Sequence, residues 1–222
     1  MENIYTNMYN SNTTWLKTHD FIHDTKLNDA TDDRRVIALV ADGDFEYHEP
    51  WKKLNILLEE TVDSGSWMQP RLHHTFICIS PLFNKDNLSS TIVNDYNINE
   101  IKTIIEDKLK GGYRIVFDRI IPVKTGFVLC GTSDTDINQV RDYLREKGYI
   151  NGERYHLDIL HITLLRNVDM LSNQDDKNRL ISAMNAFKKE PYVTFNVKSI
   201  NVTEASWTMQ DGTFKILKRI NL

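Results

Sequence analysis

Two short apolar strands, each interrupted by a histidine and a threonine two residues apart, constrain this chain more than any other feature. Leu160-His161-Ile162-Thr163-Leu164-Leu165-Arg166 has the length and composition of a strand, and an ionisable ring has no place in a strand buried only for stability. Alternation puts His161, Thr163 and Leu165 on one face and the aliphatic Leu160, Ile162 and Leu164 on the other. The imidazole and the hydroxyl then stand about 7 Å apart along the strand. The same arrangement, Leu72-His73-His74-Thr75-Phe76-Ile77-Cys78, lies 88 residues upstream. There His73, Thr75 and Ile77 share a face opposite Leu72, His74, Phe76 and Cys78. Two such strands place two imidazoles across one cleft. A third His-x-Thr, His23-Asp24-Thr25, sits among Asp20 and Lys26 with no apolar alternation and drops out.

The rest of the chain mixes strands and helices without the strict alternation of a doubly wound sheet, which predicts an α+β fold. Residues 1–34 are polar and read as an N-terminal arm with one helical turn near Trp15-Leu16-Lys17. Val36 to Ala41 is a strand stopped by Asp42-Gly43-Asp44, and Trp51, Leu54, Leu57 and Leu58 follow at helical spacing after Pro50. A second helix runs from Asn97 to Lys110, then strands from Tyr113 to Ile121 and Gly126 to Gly131. Thr132-Ser133-Asp134 caps a helix carrying Ile137, Val140, Tyr143 and Leu144. The second His-x-Thr strand begins near Tyr155. A helix over 175–189 and strands over 192–202 and 213–220 close the chain. Residues 35–222 are expected to form one bilobal unit.

Composition narrows the partners. A net charge of −4 and a pI of about 6.0 give no basic field for duplex DNA, so a nucleotide ligand is small and met by a local cation. Cys78 and Cys130 lie in apolar runs and read as buried thiols of a reducing compartment. No stretch has membrane-span length and no signal peptide is evident, so a cytoplasmic monomer is expected, with no membrane partner.

Cleaving a phosphodiester without a metal needs a base for the attacking hydroxyl and an acid for the leaving oxygen. Imidazole plays either part near neutral pH. His73 and His161 fill those roles, Thr75 and Thr163 donate to the non-bridging oxygens, and Arg166 adds a cation matched to phosphate.

His73-His74-Thr75-Phe76 and His161-Ile162-Thr163-Leu164-Leu165-Arg166 resemble the paired signatures of the 2H phosphoesterase superfamily, the LigT-like RNA ligase and cyclic phosphodiesterase group. The resemblance extends from about Val36 to Ile220 and leaves the arm uncovered. It implies two pseudosymmetric lobes whose antiparallel sheets line a central groove, with helices outside. It also implies His73 and His161 as the acid–base pair, Thr75 and Thr163 as phosphate donors, and Arg166 as an auxiliary phosphate contact. Substrates in the family are 2',3'-cyclic phosphates, 2'-5' oligoadenylates and cyclic nucleotide messengers, cleaved without a cofactor. One departure is His74, where the family carries an apolar residue. A one-residue slip would turn His74 instead of His73 to the groove. The register that pairs imidazole with hydroxyl selects His73.

Tyr155, Trp67 and Trp207 are candidate stacking surfaces for bases, each weighed against an ordinary core or surface aromatic. Two other readings compete. One is a non-catalytic nucleotide- or RNA-binding module that retains the groove. The other is a metal hydrolase using His73, His74 and His161 with His156 or Asp158, disfavoured because neighbouring strand residues point apart and no His-Glu-x-x-His is present.

Overall fold

The computed structural model describes residues 2–28, 31–84, 97–150, 158–169, 174–206 and 214–222. Its strands are β1 (Arg34–Tyr47), β2 (Trp67–Met68), β3 (His74–Cys78), β4 (Phe83–Asn84), β5 (Tyr113–Val123), β6 (Gly126–Ser133), β7 (Leu160–Asn167), β8 (Val193–Ser206) and β9 (Lys215–Asn221). All of them belong to one antiparallel sheet, in the order β2-β7-β6-β5-β8-β1-β3, with β4 on β1 and β9 on β8. The helices are α1 (Glu2–Leu16), α2 (Glu49–Asp63), α3 (Ile98–Lys108), α4 (Ile137–Glu146) and α5 (Gln174–Asn185). The α+β fold expected from the sequence is the fold observed.

The sheet has two halves that share the long β1–β8 pair. β8 bonds β5 through Val193–Val197 and β9 through Ser199–Glu204, while β1 lies along its other edge throughout. β1 does not stop at Asp42-Gly43-Asp44, as the turn-rich sequence predicts. Gly43 stays in the ladder at a bulge, and a Cβ there would meet the Asn196 carbonyl oxygen at 2.0 Å. The glycine serves a close approach of two strands and not a turn.

The main core lies on the face packed by helices. Trp51, Leu54 and Leu58 of α2, Ile101 and Ile105 of α3, and Ile137, Val140 and Leu144 of α4 bury against Ile37, Leu39, Phe76, Phe117, Leu129 and Ile162. α4 is capped by Asp136, whose carboxylate accepts from the Gln139 N–H, two residues later than the cap read from Thr132-Ser133-Asp134.

The N-terminal segment also differs from expectation. It forms fifteen residues of helix where one turn was predicted, and Tyr5, Met8 and Tyr9 of α1 pack on Ile121, Val128 and Cys130. Leu16 and Phe21 enter the main core, and the buried Lys177 ammonium of α5 donates to the His19 carbonyl. The apolar positions 5, 8, 9 and 16 do share one helical face. The Asn, Ser and Thr between them have poor helix propensity and masked that stripe. Docking on β5 and β6 supplies what propensity lacks. Neither cysteine forms a disulfide; Cys130 is buried and Cys78 half-buried. Among the described residues no helix is long and apolar enough to cross a membrane.

Candidate active site

β3 closes one end of the sheet path and β7 stands one strand in from the other, beside the two-residue β2, and the sheet curls so that β3 and β7 meet. Each carries a bulge directly after its threonine. On β3, Thr75 pairs with Val40 and Ile77 with Leu39, leaving Phe76 extra. On β7, Thr163 pairs with Val128 and Leu165 with Phe127, leaving Leu164 extra. The break turns Ile77 and Leu165 into the main core, so simple alternation, which grouped them with the histidines, fails at the same place in both strands. Its consequence at the site is larger. After the bulge the residue that returns to the face of His161 and Thr163 is Arg166, carried there by one extra residue of strand. The repeated bulge is the clearest trace of symmetry between the halves.

Partners in the ladder fix the faces. His161 lies opposite Cys130 and Thr163 opposite Val128, on the side covered by α1. Thr75 lies opposite Val40 on the side lined by Val36, Ala38 and Ala205, where Phe214 also packs. His73, just before β3, meets the Phe214 ring edge-on with centroids 6.0 Å apart. Its Nδ1–H donates to the Arg71 carbonyl at 2.7 Å, which makes Nε2 the unprotonated nitrogen of the neutral ring. His74 faces the other way, fully buried beside Phe117. The register that pairs imidazole with hydroxyl is therefore the one adopted, and His74 does not converge with His73 and His161. Among the described residues no three His, Cys, Asp or Glu side chains form a cluster fit for a metal ion.

Burial and charge dominate the electrostatics. Desolvation, followed by the Arg166 and Arg71 guanidinium groups, pushes His73 down to about 4 against the bond to the Arg71 carbonyl. Desolvation, then Arg141, His73 and Arg166, pushes His161 down to about 3. His74 is held well below its usual value by burial, with Arg141 next in weight. Burial also lowers Arg166, partly offset by the Asp24 carboxylate. His73 and His161 thus stand as neutral rings in the field of the Arg166 guanidinium, which disfavours their protonation. Among the described residues, His161 Nδ1 and Arg166 Nε are buried with no hydrogen-bond partner. The guanidinium Nε–H calls for an acceptor, and the ring nitrogen for a partner of whichever kind its tautomer requires.

These shifts have a measurable consequence for stability. The three rings titrate near 6.5 when exposed and lower when folded. As pH falls below about 6.5 the unfolded chain takes up protons that the native rings refuse, so stability drops through the interval down to their folded values. The Tm is expected to decline continuously from pH 7 to pH 4.5. A flat Tm over that range would contradict the burial of these rings.

Of the other residues predicted for the site, Trp67 is a core side chain packed on Phe21 and Phe127, and Tyr155 and Trp207 lie outside the described residues. Sequence reasoning missed three contributors. Phe214 carries Arg71 over its ring at 5.1 Å, beside His73. Arg71 also lines an open depression of about 490 Å³ with Phe45, Tyr47 and Leu72. Arg141 is fully buried beneath both motif strands. Its signal was present: Ile137, Val140, Arg141 and Leu144 make one helical stripe, and a charge inside an apolar stripe marks a site.

No protein-family model matches the chain, and no curated protein matches it. Solved structures do. A conserved protein of unknown function from Agrobacterium tumefaciens aligns with a TM-score of 0.54 and 13% identity, covering 92% of this chain and 96% of that one. Escherichia coli LigT complexed with NADP+ aligns at 0.49 and 13%, covering 85% and 98%. Kluyveromyces marxianus Usb1 aligns at 0.47 and 11%, covering 86% and 99%. At these identities the likeness concerns the fold alone.

Proposed function

We propose that this chain is a 2H-type phosphodiesterase that cleaves 2'-5' or cyclic phosphodiester bonds of small RNA-like nucleotides by two-histidine acid–base catalysis, with no metal or cofactor. The observation that supports this most is the cluster of His73, His161 and Arg166, drawn from two separate strands and sharing one electrostatic site. A phosphodiester anion is the ligand such a cluster lacks. Its charge stabilises imidazolium and supplies acceptors for the Arg166 Nε–H and, once the ring is protonated, for His161 Nδ1–H, both without a partner among the described residues.

In the reaction one neutral imidazole takes the proton of the attacking ribose hydroxyl or water as its oxygen bonds to phosphorus. The other, protonated once the anion is bound, gives its proton to the leaving oxygen as the old P–O bond breaks. The two roles exchange between transesterification and hydrolysis. Thr75 and Thr163 donate to the non-bridging oxygens, and Arg166 balances the charge that builds there. The bases stack on Phe214 and reach the depression beside Arg71. On this reading the protein acts as a cytoplasmic monomer whose substrate is short, in keeping with its net charge of −4.

The test is a substrate panel containing a 2',3'-cyclic nucleotide, a 2'-5' oligoadenylate and a mixed-linkage cyclic dinucleotide. Turnover of at least one is expected, and it names the linkage. Tight binding of all three with no turnover would overturn the enzymatic reading in favour of a binding module.

A further inference from the structure

We infer that Arg141, with His74 as its second strut, is the positioning residue that sets the separation of the two catalytic histidines; the inference rests on the function proposed above. The need for such a device follows from the sheet. β3 and β7 touch, yet β3 bonds only β1, while the free edge of β7 meets β2 only at Asn167 and Arg166. Among the described residues no backbone ladder therefore joins the two motif strands where the histidines stand. Side chains make the connection instead.

Arg141 bridges them with one guanidinium. Its Nε donates to the Phe76 carbonyl, the bulged residue of the first motif, at 2.7 Å. Its Nη1 donates to the Ile159 carbonyl, two residues before His161, at 3.1 Å. Nη1 also donates at 2.9 Å to the Asn138 side chain, whose own amide holds the Asp158 carbonyl at 2.7 Å. His74 completes the link: its Nδ1–H donates to the His161 carbonyl at 3.2 Å. On the other side of β7 the Leu160 N–H donates to the Tyr5 hydroxyl at 3.1 Å, and that hydroxyl donates to the Gly131 carbonyl at 2.6 Å. Four successive backbone positions, 158 to 161, are each gripped by a side chain. Two of those side chains stand on α4, one on β3 and one on α1.

Such a clamp has a high stake. Guanidinium bonds to buried carbonyls are charge-assisted and planar, so lysine cannot reproduce both at once. In-line transfer tolerates little error, and a shift of about 1 Å at one ring costs about 10²-fold. The departure from the family pattern at position 74 thereby acquires a purpose: a histidine there can donate to the facing strand where an apolar residue cannot.

The test uses Arg141→Lys, Arg141→Met, His74→Leu and His74→Asn in the full chain. Asparagine carries an amide N–H where the His74 ring carries Nδ1–H, and leucine carries none. His74→Leu and Arg141→Lys are expected to lower kcat about 10²-fold with KM within about threefold, and His74→Asn to recover most of the loss. Independently, ¹⁵N-imidazole titration should show His161 rising above its value of about 3 in Arg141→Met and staying low in Arg141→Lys. The other titratable groups around that ring are His73, His74, Arg166, Cys130 and Tyr5, and the Arg141 substitutions alter none of them chemically.

A kcat loss that merely follows the unfolded fraction given by Tm would overturn the clamp, as would His74→Asn behaving like His74→Leu. If the wild-type protein turns over no phosphodiester, the functional reading fails. The clamp is then judged by the backbone resonances of residues 159–162, which, if unmoved in Arg141→Met, or in His74→Leu where the former does not fold, overturn it.

Discussion

Replacing either His73 or His161 by alanine is expected to lower kcat about 10³- to 10⁴-fold, and the double variant to lose little more than either single one. The non-additivity is the informative part. An acid and a base that serve the same bond exchange fail together, because attack without departure leaves the phosphorus unchanged. Two histidines acting as independent ligand contacts would instead give losses that multiply. Binding should separate the roles further, since the uncharged rings of the free protein contribute little to anion affinity. Inorganic phosphate is expected to bind both single variants within about fivefold of wild type through Arg166 and the threonines. His74→Asn, which removes the third ring but keeps an N–H toward the His161 carbonyl, is expected to retain most of the wild-type activity.

Arg166→Met is expected to lower kcat/KM about 10²- to 10³-fold, in line with losing one preorganised charge at a developing oxyanion. The same change should move the titrations of His73 and His161 upward, because the Arg166 charge helps hold both down. Arg166→Lys keeps the charge without the planar fork and should fall between. Stability should not suffer from the methionine. Arg166 is desolvated with its Nε unpaired among the described residues, so an apolar side chain of similar length removes a cost. A variant that is inactive yet equal or higher in Tm would mark Arg166 as a residue held for its ligand and not for the fold. A variant that loses stability and activity together would contradict that account.

The motif strands were legible because each places an imidazole and a hydroxyl inside an apolar run. Period-2 reasoning on that run correctly paired His73 with Thr75 and His161 with Thr163. It then failed one residue later in both strands, at Phe76 and Leu164, because a bulge is a property of the paired strand and leaves no mark in a run of apolar residues. The position of Arg166 on the site face depends on that bulge, so its role was read from its place beside the motif and from the family resemblance, and not from alternation. Gly43 was misread for the related reason that a glycine admitting the Asn196 carbonyl looks the same in sequence as a glycine making a turn. α1 was missed because its apolar stripe is sparse and its polar residues favour other conformations. The contacts of Arg141 and His74 needed the tertiary structure, since nothing local ties α4 to the carbonyls of Phe76 and Ile159 or His74 to that of His161.

On this reading two histidines, with no metal, carry out the bond exchange. The most direct test of it is turnover of the best substrate in excess EDTA by wild type, His73→Ala and His161→Ala side by side. Full wild-type activity in EDTA with both variants reduced at least about 10³-fold is the predicted result. Wild-type activity abolished by EDTA and restored by a divalent cation, or either variant retaining wild-type turnover, would contradict it.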